Sequence, residues 1–131
     1  AQVSSQTATN PWAKSGVMIR KDTTAGSPFY GIFLTPANGI VVESRATAGA
    51  LAVQQAILPG TGPVYLRVTR TGTTFTAETS ADGVTWTAVP NSATALPNLG
   101  GAALSGLAVT SHDTSLLSTV VFKAVTPINP K

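Results

Sequence analysis

Cysteine is absent from the 131 residues, so neither a disulfide framework nor a thiolate metal site can form. Histidine occurs once, at His112, which leaves no second imidazole for a zinc centre. Charge is also scarce: 10% of the residues are Asp, Glu, Lys or Arg, where about a quarter is usual. The net charge of +3 is dispersed along the chain. Arg20 and Lys21 are the one adjacent basic pair, and Arg67 and Arg70 fall on opposite faces of a strand. Phosphate binding draws on several clustered cations, so a nucleic-acid partner is not expected. No apolar run approaches the ~20 residues of a membrane span. The opening stretch, Ala1 to Thr7, lacks the charged and apolar regions of a signal peptide and reads as the start of a mature form or of a fragment. Helical periodicity is missing too. The alanine-rich segment 46–57 is interrupted by Gly49 and has no cap, and strand is preferred over helix there.

Threonine, alanine, valine, serine and glycine take the place of charge, giving a neutral, hydroxyl-rich chain. The clearest element runs from Val64 to Val89. Val64, Leu66 and Val68 share one face and Tyr65, Arg67 and Thr69 the other, the two-residue period of a half-buried strand. Gly72 then turns the chain into Thr74–Ser80, and Asp82-Gly83 into Val84–Val89. Further strands are expected at 2–6, 15–20, 29–35, 40–46, 51–57, 105–111 and 119–125. Turn residues such as Asn10-Pro11 and Asn38-Gly39 separate them. About ten short strands at ~8–12-residue spacing make a single antiparallel sandwich or barrel. The domain spans 1–125, followed by a tail or linker, 126–131, whose prolines resist ladder pairing. The longest irregular loop is 89–101.

The motifs Trp12-Ala-Lys-Ser-Gly-Val-Met-Ile-Arg20, Gly26-Ser-Pro28, Thr35-Pro36 and Gly39 come first. Tyr65-Leu-Arg-Val-Thr-Arg70, Ser80-Ala-Asp-Gly-Val-Thr-Trp86, Gly106–Asp113 and Thr119-Val-Val-Phe122 follow in that order. Together they resemble the concanavalin A-like, laminin G-like β-sandwich modules of secreted bacterial proteins, over residues 1 to about 125. The resemblance implies a jelly-roll sandwich at the cell surface or outside the cell, commonly carried by glycoside hydrolases and adhesins. Such modules usually have additional strands before the Trp12 motif. A chain beginning inside the domain would leave an uncovered sheet edge, which invites strand addition.

Catalytic chemistry finds little support. Glycoside hydrolysis needs two carboxylates ~5–10 Å apart. The chain has Asp22, Glu43, Glu78, Asp82 and Asp113, with no two at i, i+2 spacing in one strand. Glu43 and Glu78 could meet across a sheet, although solvated or arginine-paired roles suit them better. His112 and Asp113 are neighbours in a polar turn, and adjacent residues rarely orient each other. Calcium could draw on Asp22 and Asp113 with loop carbonyls, but no dense Asp/Asn loop exists. No catalytic residue, cofactor or metal is therefore assigned.

Ser80–Trp86 resembles an Asp-box turn shortened by one residue, in which Ser80 and Asp82 tie the hairpin and Trp86 packs on core or sheet. Lys14 and Lys123 fall within strands, where a buried ammonium would need a partner such as Asn38, Asn98 or an acid. The residues expected to contact a ligand are Trp12, Tyr30 and Tyr65, because aromatic rings stack on flat apolar faces. The expected function is non-catalytic recognition or adhesion, with a neutral glycan as ligand. The alternative is a structural subunit of a filament built by strand exchange with another copy or segment of a surface protein.

Overall fold

A computed structural model describes residues 1–126, and these form an all-β sandwich. Its strands are β1 (Gln2–Gln6), β2 (Lys14–Arg20), β3 (Phe29–Leu34), β4 (Ile40–Arg45), β5 (Val53–Leu58) and β6 (Val64–Thr71). They continue with β7 (Thr74–Ser80), β8 (Thr87–Ala88), β9 (Thr94–Ala95), β10 (Leu104–Thr110) and β11 (Val120–Lys123). One antiparallel sheet has the order β11-β1-β6-β7-β8, with β9 also on β7; the other is β10-β2-β3-β4-β5. The expected strand at 84–89 shrinks to Thr87–Ala88, and β9 appears in a loop that was read as irregular. Segment 46–57 resolves into a loop followed by β5. Of the expected tail, all but Thr126 lies outside the described residues.

The alternation in β6 places Val64 and Leu66 in the core, as the two-residue period requires. Gly72 (φ +63°) lets a two-residue turn join β6 to β7, where an L side chain would be strained. The core lies between the sheets. Tyr30, Ile32, Leu34 and Val42 from one layer meet Val3, Leu66, Phe75 and Ala77 from the other. β3 is buried along its whole length, because its outward Phe29 and Phe33 form a second cluster with Val41, Met18 and Ala108.

β1 pairs with β6 on one side and β11 on the other. The chain start therefore sits inside a sheet, with Gln2 and Val3 paired on both sides. The free edges among the described residues are β10, β5, β11, β8 and the two-residue β9.

The pairings sort the loops into two ends. The upper end carries the turn 35–39, the loops 59–63 and 81–86, and the connections before β2 and after β10. The lower end carries 21–28, 46–52 and the β9–β10 connection. There cations bind the loops by backbone carbonyls: Arg45 to Ala50 (2.7 Å), Ala25 and Ser27 (both 3.1 Å), Lys21 to Gly100 (2.9 Å), Arg70 to Gly101 (2.7 Å). Arg20 likewise donates to Thr24 O at 2.5 Å. Cations that sequence spacing suggests are dispersed thus gather at one end.

Candidate functional groove

The two sheets part at the upper end on the β5–β8 side. β8 is only two residues long, so Thr79 and its partner Thr87 border open space. The result is a cleft of about 440 Å³. Ile40, Leu58, Pro63 and Val64 supply its apolar wall, and Thr79, Thr85, Thr87 and Asp82 its polar one. A second groove of about 450 Å³, around Asn38 and Ile57, shares the Leu58–Gly60 wall with the first. Concave sites of ~300–1,000 Å³ are the size of most small-ligand sites.

Local hydrogen bonding explains the polar wall. Asp82 Oδ1 accepts from Ser80 Oγ (2.9 Å) and from the amides of Val84 and Thr85 (both 2.8 Å). Ser80 Oγ accepts in turn from Gly83 N–H at 2.8 Å. This is the serine–aspartate tie expected from the sequence. The amides of Thr85 and Val84, then the Ser80 hydroxyl, hold the Asp82 carboxyl down at about 2. All three of these bonds fall on Oδ1, which leaves Oδ2 for an outside donor.

Trp12 lines neither groove but lies in the loop that Asn38 of the second groove holds. Asn10 Oδ1 accepts its backbone N–H (2.8 Å), and Asn38 Nδ2 donates to Pro11 O (2.9 Å). The indole is 37% exposed, with Lys14 Nζ 5.9 Å from the ring. Lys14 pairs with Glu43 at 3.6 Å, so the strand lysine finds an acid as its partner.

The other two expected contacts differ. Tyr30 is wholly buried, and its hydroxyl donates to Ser92 O at 2.7 Å. It cannot meet a ligand. Its position in a continuous apolar run hid which face it takes, and register with Ile19 and Ser44 turns it inward. Tyr65 lies on the outer face of its sheet, edge-on to Trp86 with centroids 6.4 Å apart. A Cβ on Gly83 would come within 2.9 Å of the Tyr65 ring. Tyr65 thus underlies the turn that carries Asp82 and does not line the groove. Trp86 packs on the same face beneath Arg67 (4.1 Å), whose Nε meets Glu78 at 2.6 Å.

Comparison with protein-family models, curated proteins and solved structures gives no match.

The remaining polar residues are spread apart. Glu43 and Glu78 project from the outer faces of opposite sheets, each with its own cation, so they do not meet. Asp22 belongs to the lower end and Asp113 to the upper. Each is engaged locally, Asp22 with Thr24 and Asp113 with Ser115, and the shared calcium site does not form. Among the described residues no three of His, Asp and Glu gather as metal ligands. His112 adopts a left-handed backbone (φ +54°), and the Asp113 carboxylate bonds to Ser115.

The groove itself was not legible in the sequence. Its walls come from β4, β5, β6, β7 and the turn after β7. The one local signal was the Ser80–Trp86 motif, which marks where Asp82 is held.

Proposed function

We propose that this protein is a non-catalytic recognition module, acting outside the cell or at its surface, that binds a neutral glycan along the upper groove. The observation that carries the reading is the surface from Thr79, Thr85 and Asp82, past Leu58 and Pro59, to Asn38, whose amide holds the loop that bears the partly exposed Trp12. A sugar chain offers hydroxyls and apolar C–H faces, and this surface offers the complements: hydroxyl and carboxylate oxygens, aliphatic side chains and an indole. Glu43 and Glu78 lie too far apart to flank a glycosidic bond, which favours binding over hydrolysis. The resemblance to concanavalin A-like, laminin G-like modules points the same way.

Affinity electrophoresis against a β-glucan, an α-glucan, a xylan and a mannan tests the reading. Retardation by at least one polymer is expected. Trp12→Ala should weaken it by about tenfold, the loss of about 1.4 kcal/mol of stacking. Asp82→Asn should weaken it as well, and Tyr30→Phe should leave it unchanged. No retardation by any polymer, or full retention by Trp12→Ala, would refute the reading.

A further inference from the structure

Five strands have a free edge among the described residues, and four of them are guarded. β5 carries an irregularity at Gln55, opposite Val42/Glu43, β11 has four residues and a lysine at its end, and β8 and β9 have only two residues each. Bulges, charges and short length are the usual protections against edge pairing. β10 has none of them. It is seven residues long, Leu104-Ser-Gly-Leu-Ala-Val-Thr110, without charge or proline, and its register with β2 is unbroken from Leu104 to Thr110.

Its side chains are also unfinished as a core strand. Leu107 and Val109 pair with Val17 and Ser15, which face inward: Val17 packs on the core and Ser15 is fully buried. Leu107 and Val109 nonetheless remain 43% and 48% exposed. On the outward face, a Cβ at Gly106 would meet nothing within 4 Å. Glycine within a strand often marks the place where another backbone comes close.

The sheet's topology selects the occupant. With five strands in antiparallel succession, the edge strands β10 and β5 run in the same direction. Joining β10 of one molecule to β5 of the next by simple repetition would give a parallel pair, the less stable kind. Joining β10 to β10 gives an antiparallel pair about a two-fold axis, which closes as a dimer.

We propose that β10 pairs with β10 of a second copy of this chain, antiparallel and centred on Leu107. In that register Leu107 faces its own symmetry mate, Ser105 faces Val109, Gly106 faces Ala108, and Leu104 faces Thr110. On the inward face Leu107 then meets Leu107, with a Val109–Ser105 pair on either side, and on the outward face Gly106 meets Ala108 between the Leu104–Thr110 pairs. The pairing has no charge to desolvate, and it stands independently of glycan binding.

Cross-linking on the full chain tests this. Because the protein has no cysteine, Leu107→Cys introduces a single thiol. On a two-fold axis its mate lies ~4.5–5.5 Å away between Cα atoms, within disulfide range. Mild oxidation at low micromolar concentration should convert Leu107→Cys to a covalent dimer, whereas Val53→Cys, at a more exposed position on β5, should stay monomeric. Light scattering should show a concentration-dependent dimer. Leu107→Lys, which sets like charges opposite each other, should raise its dissociation constant by about tenfold or more while keeping the monomer's melting temperature. A wild-type monomer at high micromolar concentration would overturn the proposal, with β10 amides either free or protected within one chain. So would a dimer indifferent to Leu107→Lys, or equal cross-linking at Val53→Cys.

Discussion

Tyr30→Phe probes whether the two layers are bolted together through their core. The Tyr30 hydroxyl donates to Ser92 O at 2.7 Å. The Ser92 hydroxyl in turn accepts from Ala77 N–H (3.2 Å) and donates to Ala77 O (3.3 Å). A strand of one sheet is thereby linked through the loop after β8 to β7 of the other. Phenylalanine keeps the ring against Phe75, whose centroid lies 5.5 Å away, so packing volume is nearly conserved. What is lost is one neutral hydrogen bond, and a buried carbonyl is left without its donor. The expected cost is about 1–3 kcal/mol. For a chain of this length, a loss of ~2 kcal/mol corresponds to a fall in Tm of roughly 6–10 °C. Urea titration should show a lower midpoint with an unchanged slope. An independent signature lies in alkali. Burial, the largest influence, pushes the Tyr30 phenol up from 10.0 to about 12. Below pH 10 the group is protonated in both states and adds no pH dependence. Above it the unfolded chain ionises first, so stability should fall between pH 10 and about 12. Tyr30→Phe should lack that part of the decline. An unchanged urea midpoint, or an unchanged alkaline slope, would refute the bolt.

Three further outcomes are expected. Gly16→Ala should be more damaging than Gly31→Ala, because a methyl at Gly16 runs into the Ile32 backbone carbonyl whereas at Gly31 it meets the movable Phe33 ring. Overpacking against a side chain costs about 1–3 kcal/mol, and Gly16→Ala should exceed that in chemical denaturation. Arg67→Ala should cost about 1 kcal/mol, since the guanidinium is partly exposed and loses an ion pair and a ring contact together. It should also red-shift the Trp86 emission, and Arg67→Lys should restore little of the stack. Asp82 remains ionised in the fold down to about pH 2. Glycan affinity should therefore be flat from pH 8 to 4. Stability should decline as pH falls from about 4 toward 2, where the unfolded carboxyl takes up its proton first. Asp82→Asn should remove Asp82's part of that acid slope and leave the part from Asp22 and Asp113, whose carboxyls are also held below the ordinary range by bonds to Thr24 and Ser115.

The β6–β7 hairpin was legible because its side-chain alternation and its glycine turn agree. Face assignment failed where alternation fails. Phe29–Leu34 is apolar on both faces and buried throughout, so nothing local says that Tyr30 points inward while Phe29 and Phe33 point out. The third strand of the meander was read too long because Asp82 captures the amides of Val84 and Thr85, which removes them from a ladder. β9 went unseen because two residues between prolines carry no period. The neighbours of β1 lie more than sixty and a hundred residues away in sequence, beyond any local pattern. Trp12 was recognised from its loop position after Asn10-Pro11. The cleft between Ile40 and Thr79 is assembled from segments that meet only after both sheets have formed.

The carbonyl-bound cations of the lower end have a consequence for how the molecule meets a surface. Among the described residues Arg20, Lys21, Arg45 and Arg70 share that pole with one side-chain carboxylate, Asp22, while Asp82 and Asp113 occupy the opposite one, where Lys14 is paired with Glu43. The protein is therefore an electric dipole aligned with its strands. Near an anionic support the cationic pole should turn inward, with the upper end toward the solution. Salt that shortens the screening length below about 8 Å abolishes this orientation and leaves the loop ties themselves intact.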